Sequence, residues 1–383
     1  DTTGTASFTP TDDNLYETST DETANVSITG VSGGSATESG SQSVTLTIEE
    51  NESAPTVTLS TSATSIDENS GSVLTLTATL SVATTADVTV TIATSGTATE
   101  GTDYTDGSGN IDDLVITAGN TTETISFKPT DDSVYEGDET ATISIDGVSG
   151  GEATENGTQA VTITISENES TPTVTLSVSS TSIAENSGST LTITATSSIV
   201  ADENITVGIS TSGTATEGTD YGTISDITIT AGNTTGTATF DPTDDSISDV
   251  AETAIVAISS VSGADATESG SQSVTITITE NDSSPTITLA TSATSIAENA
   301  GSSLTLTATS SIAADEDITV TISTSGTGTE GTDYSTISDI TISAGATTGT
   351  VSFTPTDDTV YEGNETGIVA ISGVSGADAA EDG

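Results

Sequence analysis

Four residue types are missing from this 383-residue sequence, which contains no cysteine, histidine, methionine or tryptophan. Without cysteine there is no disulfide bond and no thiol chemistry. Without histidine as well, the usual general bases, nucleophiles and transition-metal ligands are missing. Pairs of carboxylates can act as acid and base in a glycosidase, but nothing in the sequence supplies an aromatic-lined substrate cleft. The composition therefore predicts that the protein is not an enzyme.

Positive charge is almost missing too, because a single basic residue, Lys128, stands against 58 Asp and Glu residues, for a net charge of −57. Such a chain repels phosphate backbones and anionic lipids, so we expect no nucleic-acid partner. We also expect no membrane insertion, since no apolar run reaches the length of a transmembrane helix. A chain this acidic repels itself when compact, so either it stays disordered or cations neutralise it. Free metal ions are the expected partners.

The sequence repeats itself with a period of domain size. An Asp-Asp pair recurs 113 residues apart between 131–132, 244–245 and 357–358, and 119 residues separate the first of these from the pair at 12–13. The junctions between repeats are marked by Glu-Asn-Glu or Glu-Asn-Asp followed by proline, at Pro55, Pro172 and Pro285. We therefore predict four segments: 1–52, the C-terminal half of a repeat; 53–169 and 170–282, two complete repeats; and 283–383, a repeat that lacks its last strand.

The incomplete segments at the two ends suggest a piece of a longer protein. The alternative is that they complete each other between neighbouring molecules by donor-strand pairing. The first residues do not resemble a signal peptide, so any secretion signal is expected outside this sequence.

Apolar residues alternate with threonine in short runs, for example at 73–78 and 161–165. This period of two predicts half-buried strands, with about seven per repeat. Although low hydrophobicity and high charge are typical of disordered chains, all four phenylalanines occupy one repeat position, which favours folding and predicts that they anchor the core: Phe8, Phe127, Phe240 and Phe353. The expected fold is all-β, a series of tandem antiparallel β-sandwich domains of immunoglobulin size arranged end to end.

Acidic residues recur at fixed spacing in turn-like segments of each repeat. Glu68 precedes Asp103 by 35 residues, a separation that also holds for 185 and 220 and for 298 and 333. The Asp-Asp pair, two glutamates after it and the junction acids complete the set. Hard cations such as Ca²⁺ take six to eight oxygen ligands from several loops, and one end of a sandwich brings loops together. We therefore expect a calcium site in each repeat.

The Gly-Thr-Asp-Tyr sequence at 101–104 and the Asp-Asp-Ser-Val-Tyr-Glu-Gly-Asp-Glu sequence at 131–139 resemble the Calx-beta domain family, and this resemblance covers essentially the whole chain. It implies seven-stranded sandwiches with Ca²⁺ at the domain end. The ligands that it implies, with their counterparts in the other segments, are Asp12, Asp13, Glu17, Glu22, Glu50 and Glu52; Glu68, Asp103, Asp131, Asp132, Glu136, Glu139, Glu167 and Glu169; Glu185, Asp220, Asp244, Asp245, Asp249, Glu252, Glu280 and Asp282; and Glu298, Asp333, Asp357, Asp358, Glu362 and Glu365. In 170–282, Asp249 replaces a glutamate and Ser248 a tyrosine, so a weaker site is expected there.

These observations predict a structural protein, a segment of an extracellular filament or stalk whose repeats are stiffened by Ca²⁺ at each junction. The alternative is a spacer in a large calcium-dependent adhesin whose ligand-binding head lies outside this sequence. In either case the expected partners are calcium ions and neighbouring repeats or other copies of the chain, and the expected location is the cell surface or the medium outside the cell. Assembly of the purified chain end to end would favour the filament.

Overall fold

The computed structural model describes residues 2–17 and 21–383, and in this part of the chain it contains 34 β-strands and one 3-10 turn at Glu298–Ala300. The predicted all-β fold is confirmed. The chain forms two compact units, Asp1–Thr171 and Pro172–Gly383. Among the helices that the structure describes, none is long and apolar enough to cross a membrane.

The first unit holds a short N-terminal segment and one sandwich. Residues 2–52 contain β1 (Leu15–Tyr16), β2 (Glu22–Ser27) and β3 (Ser43–Ile48). The sandwich contains β4 (Thr56–Thr61), β5 (Ser65–Asp67), β6 (Leu74–Leu80), β7 (Ala83–Thr84), β8 (Val88–Gly96), β9 (Tyr104–Thr105), β10 (Leu114–Ile116), β11 (Thr122–Pro129), β12 (Val134–Tyr135), β13 (Glu139–Ser149), β14 (Thr154–Glu155) and β15 (Ala160–Ser166).

The sandwich has two sheets, with the strand orders β10-β8-β13-β15-β5 and β14-β4-β6-β11-β9. The long strands pair antiparallel, whereas β14 pairs with β4 and β15 with β5 in parallel. The antiparallel sandwich expected from the period of two is therefore confirmed. Strand β6 shows its physical basis: Leu74, Leu76, Ala78 and Leu80 are buried between the sheets, while the threonines between them face outward. Each buried leucine contributes about 1.5–3 kcal/mol.

The second unit repeats this pattern twice. Residues 172–282 contain β16 (Thr173–Val178), β17 (Ser182–Ala184), β18 (Leu191–Ser197), β19 (Val200–Ala201), β20 (Ile205–Gly213), β21 (Ile227–Ile229), β22 (Thr235–Phe240), β23 (Ile247–Ser248), β24 (Glu252–Ser262), β25 (Thr267–Glu268) and β26 (Ser273–Thr279). Residues 283–383 contain β27 (Thr286–Thr291), β28 (Leu304–Ser310), β29 (Ala313–Ala314), β30 (Ile318–Gly326), β31 (Ile340–Ile342), β32 (Thr348–Phe353), β33 (Gly367–Ser375) and β34 (Ala380–Glu381).

The sheets of 283–383 have fewer strands, in the orders β32-β28-β27-β34 and β31-β30-β33. In 172–282, the short strand β17 pairs in parallel with β26, which itself borders β24. In the described part of 283–383 no strand corresponds to β26. The segment equivalent to β17 therefore has no partner, and the chain forms the 3-10 turn Glu298–Ala300 there instead.

The phenylalanine prediction is correct for three residues and wrong for one. Phe127 and Phe240 are fully buried, and Phe353 packs against the core of 283–383. Each stacks on a tyrosine with ring centroids 4.7–4.8 Å apart: Tyr104, Tyr221 and Tyr334 respectively. Phe8 is instead 48% exposed, because the described part of 2–52 contains no counterpart of β4 and β6 to cover it.

Within each unit, two consecutive segments are joined by a small parallel sheet. Strand β1 pairs with β7, so that Leu15 lies opposite Ala83 and Tyr16 opposite Thr84. In the second unit β23 pairs with β29 in the same way. Both pairings follow directly after an Asp-Asp pair, at the acidic end of the preceding segment. They connect the fold of one repeat to the site of its neighbour.

Candidate metal centre

The sandwich places acidic residues from distant parts of the sequence at one end. In 53–169, Glu68 follows β5, Asp103 precedes β9, and Glu139 begins β13. Asp103 is held by the core, because the adjacent Tyr104 is buried and stacked on Phe127. Its carboxylate also accepts the backbone N–H of Thr99 at 2.5 Å. Neighbouring strands thus fix the direction of these side chains before any ligand binds.

Two groups of three carboxylates form at this end. Asp103, Glu136 and Glu139 each offer an oxygen within 4.8 Å of the others. The same holds for the second group, which consists of Glu68, Glu167 and Glu169. Glu68 is 7% exposed, and burial first, opposed by the backbone N–H of Asp132, raises its pKa.

Glu167 is the hydrogen-bonding centre of the second group. One of its carboxylate oxygens accepts the backbone N–H of Glu136 at 2.6 Å and of Gly137 at 2.9 Å, and the other accepts the N–H of Glu169 at 2.8 Å. Burial is the strongest influence and acts to raise its pKa, but these amides together outweigh burial and lower it. The pKa of Glu169 is raised to about 7, first by its hydrogen bond with the Glu167 side chain and then by burial. The pair therefore holds a proton when no cation is present.

The repeat 170–282 forms one such group, from Asp220, Asp249 and Glu252, which lines a small recess. Burial, followed by the charge of Asp315, raises the pKa of Asp249 to about 7. Burial, followed by the charge of Asp220, raises the pKa of Glu252 to about 7. Glu280 accepts the Asp249 N–H at 2.6 Å, as Glu167 accepts that of Glu136. The replacement of glutamate by aspartate thus retains the cluster.

The corresponding group of 283–383 is more open. Asp333, Glu362 and Glu365 offer oxygens within 4.8 Å of one another, but both glutamates are exposed. Partial burial, followed by the charge of Asp333, raises the pKa of Glu365. Glu298, in the 3-10 turn, still accepts the backbone N–H of Asp358 at 3.0 Å. This site is therefore assembled with less support from its surroundings.

The Asp-Asp pairs have a more local role than their spacing indicated. The second aspartate of each pair accepts the N–H two residues later at 2.7 Å, from Val134, Ile247 or Val360. This hydrogen bond shapes the turn before a short strand. The first members, Asp131, Asp244 and Asp357, are exposed, and neither member belongs to the groups of three found in the described residues. Asp131 still lies near enough to Glu68 to raise its pKa.

Residues 2–52 contribute a partial set. Glu50 accepts the backbone N–H of Glu17 at 2.8 Å and that of Glu52 at 2.9 Å, as Glu167 does for its neighbours. The charge of Glu22, followed by burial, raises the pKa of Glu17. Asp12 accepts a hydrogen bond from Asn51, and Asp13 caps the turn before β1. Among residues 2–17 and 21–52 there is no counterpart of Glu68 or Asp103, and no group of three was found there.

Two acidic residues were missed by reasoning within one repeat. Asp138 accepts the N–H of Glu167 at 3.0 Å and so orients the central glutamate. Asp315 belongs to the repeat that follows 170–282, yet its charge acts on Asp249 and Glu252. Asp315 lies directly after β29, which pairs with β23. The acidic run 315–317 was the available signal, but its partner lies about 65 residues away in another repeat.

The donor atoms fit a hard cation. One carboxylate oxygen each of Glu169, Asp249 and Asp282 is buried without a hydrogen-bond partner. An uncompensated buried carboxylate oxygen is unfavourable, and the one basic side chain of the sequence, Lys128, cannot serve every repeat. Ca²⁺ prefers several carboxylate and carbonyl oxygens and tolerates irregular geometry. The oxygen-only groups therefore match its coordination preferences.

Comparison with known proteins identifies the family. The model of the Calx-beta domain matches residues 50–169, 167–282 and 280–381, whereas no curated protein matches. Among solved structures, CBD12 from CALX1.2 is 15% identical, with 58% of this chain and 99% of that chain covered and a TM-score of 0.26. The apo-form Calx CBD1 domain is 21% identical, with 30% and 98% covered and a TM-score of 0.25. Invasin, a bacterial integrin-binding protein, is 16% identical, with 79% and 55% covered and a TM-score of 0.28. On the match to the family model, the chain belongs to the Calx-beta domain family, of which it contains three tandem copies.

Proposed function

We propose that this chain is a calcium-binding structural segment of an extracellular filament or stalk, built from Calx-beta repeats that Ca²⁺ stabilises. The observation that carries the proposal is the clustering of carboxylates at the same end of each repeat, with buried oxygens that have no hydrogen-bond partner. Because the same arrangement recurs, its expected role is structural in every repeat. A single substrate site would not need three copies.

In 53–169, Asp103, Glu136 and Glu139 would hold one ion, and Glu68, Glu167 and Glu169 a second. The acidic oxygens repel one another, as the raised pKa of Glu169 indicates. Bound Ca²⁺ would replace that repulsion with attraction and stabilise the fold, by about 2.7 kcal/mol per site at a free concentration 100 times the Kd. Mg²⁺ is expected to bind less well, since it demands a small octahedral shell and dehydrates reluctantly.

In 170–282 the site would also involve the following repeat. Asp220, Asp249 and Glu252 form the group, and Asp315 across the junction adds a further carboxylate to its electrostatic field. A cation there would attract both repeats at once. Calcium would then stiffen the junction as well as the domain. Extracellular modules commonly bind Ca²⁺ at about 10⁻⁴–10⁻³ M, which is one reason that we place the protein outside the cell.

The test is calorimetric melting of the full chain in CaCl₂, MgCl₂ or EDTA at matched ionic strength, followed by electron microscopy of the same samples. We expect Ca²⁺ to raise the melting temperature well above the EDTA value and Mg²⁺ to raise it little. Equal melting temperatures in CaCl₂ and EDTA would overturn the calcium function. Filaments formed by the pure chain would support the filament role, whereas monomers would favour the adhesin spacer.

A further inference from the structure

Each Asp-Asp pair is followed by a two-residue step that has the same place in every repeat. Two of these steps are covered by the next segment of the chain: Tyr16 of β1 is 4% exposed and Ser248 of β23 is 6% exposed. The equivalent residues of 283–383, Val360 and Tyr361, are 60% and 97% exposed. An apolar step that is covered at two equivalent positions is thus open at a third.

The covered step of β1 shows what the partner supplies. Leu15 and Tyr16 pair in parallel with Ala83 and Thr84, and the backbone N–H of Thr85 donates to the carbonyl of Tyr16 at 3.1 Å. The Tyr16 hydroxyl donates to the carboxylate of Glu152 at 2.6 Å. The partner therefore offers a short strand edge beside an acidic turn residue.

The second covered step separates the essential contact from the additional one. Ser248 has no aromatic ring, yet Ile247 and Ser248 pair in the same parallel register with Ala313 and Ala314. The second residue of each receiving step is buried, with Thr84 at 1% and Ala314 at 2% exposure. Backbone pairing onto a step of small residues is thus common to both, and the tyrosine hydroxyl adds a polar contact where the ring is present.

The receiving repeat also supplies the acidic residue from a turn of unusual backbone. Glu152 has φ of 54°, and its counterpart in 283–383, Asp378, has φ of 50°. Non-glycine residues rarely adopt this left-handed conformation. In 53–169 the preceding Gly151 lies so close to Thr84 that a Cβ at that position would be 3.0 Å from its side chain. The turn and the receiving strand therefore form one surface.

We propose that Val360–Tyr361 is a docking strand for another Calx-beta repeat that presents a free step equivalent to Ala83–Thr84. The two strands pair in parallel, and the Tyr361 hydroxyl donates to the acidic turn residue of the incoming repeat. The occupant is a Calx-beta repeat because equivalent steps of this chain already hold one, in the same register, twice. The proposal does not depend on calcium.

The test uses the six tyrosines of the chain, labelled with 3-fluorotyrosine, so that ¹⁹F NMR resolves Tyr361 by the position lost in Tyr361→Ser. The binding probe is the unlabelled full chain with three substitutions. Leu15→Pro and Tyr16→Asp release its Ala83–Thr84 step, and Tyr361→Ser prevents the probe from binding itself. Faster amide exchange at Thr85 verifies the release. The titration is run in about 1 M NaCl, where the Debye length is about 3 Å and the negative chains repel one another least.

We expect the Tyr361 resonance alone to shift, in a saturable way, as probe is added up to about 1 mM, a range set by the roughly millimolar effective concentration of linked domains. The control probe carries Tyr361→Ser only, so its step stays occupied by Leu15–Tyr16, and it should cause no shift. A released probe that leaves Tyr361 unshifted over the whole titration overturns the proposal. So does an equal shift with the control probe, which would indicate a different binding surface.

Discussion

Glu167 accepts the backbone N–H of Glu169 at 2.8 Å, and the two glutamates have opposite pKa shifts, lowered for Glu167 and raised to about 7 for Glu169. The difference has a local cause. Three backbone amides stabilise the charge of Glu167, whereas Glu169 faces that charge directly. Two residues apart at the end of one repeat, they form a site that holds either a proton or a cation.

The first prediction concerns pH in the absence of calcium. The pKa of Glu169, Asp249 and Glu252 is raised to about 7, against ordinary values of 4.5 for glutamate and 3.8 for aspartate. Between about pH 4 and 7 the folded chain therefore binds more protons at these groups than the unfolded chain. Their contribution to stability is complete below this window and lost as the pH rises through it. We expect the melting temperature in EDTA to fall from pH 5 to pH 8.

Saturating Ca²⁺ provides the comparison for that measurement. Calcium binds deprotonated carboxylates, so its stabilisation should grow over the same pH window. Calorimetry should therefore give two curves that diverge as the pH rises. A melting temperature in EDTA that climbs steadily from pH 5 to pH 8 would contradict the assignment of these pKa shifts.

The second prediction concerns Asp315. The substitution Asp315→Asn removes a charge that raises the pKa of Asp249, so in EDTA the protein should become more stable. In Ca²⁺ the same change should weaken binding at the site of 170–282 by about 10- to 100-fold, as expected when a supporting group of a metal site is lost. Isothermal titration calorimetry of the full chain measures the affinity. Glu123→Gln, which removes a charge from an exposed position of β11, is the matched control and should leave both quantities unchanged.

The alternation of threonine with apolar residues was sufficient to predict the strands, because each β-strand shows only one face to the core. β6 is the clearest case. The fixed 35-residue and 28-residue spacings identified most members of the carboxylate groups, since equal spacing in similar folds places residues at equal positions. Metal binding by those residues remains a prediction.

Other features depend on contacts that spacing within one repeat does not contain. Asp315 reaches its partners across a junction, and Asp132 is used to cap a turn. The turn at Glu298 replaces a strand because its pairing partner is missing from the described part of that repeat. Phe8 matches the core phenylalanines in sequence but is exposed, since burial requires strands that residues 2–52 do not supply in their described part.

The third prediction uses that difference between phenylalanines. Phe127 is fully buried and stacked on Tyr104, so Phe127→Ala should cost about 3–5 kcal/mol in the stability of its domain. Phe8→Ala removes the same atoms from a half-exposed position and should cost less than about 1 kcal/mol. Urea denaturation of the two variants, in Ca²⁺ and at equal ionic strength, compares them. Similar losses would mean that Phe8 is covered in solution.

The fourth prediction concerns the junction in the first unit. The hydrogen bond to Glu152, followed by burial, raises the pKa of Tyr16 to about 12. Tyr16→Phe removes the hydroxyl while keeping the ring, so the pairing of β1 with β7 should open more often without disturbing the sandwich core. Hydrogen exchange at the Thr85 N–H, which donates to the Tyr16 carbonyl, should become faster, whereas exchange in β6 should not change. Tyr361→Phe, at a position that is 97% exposed, is the matched control and should have no effect on Thr85. Unchanged exchange at Thr85 in Tyr16→Phe would mean that backbone pairing alone holds this junction, as it does where Ser248 takes the place of the tyrosine.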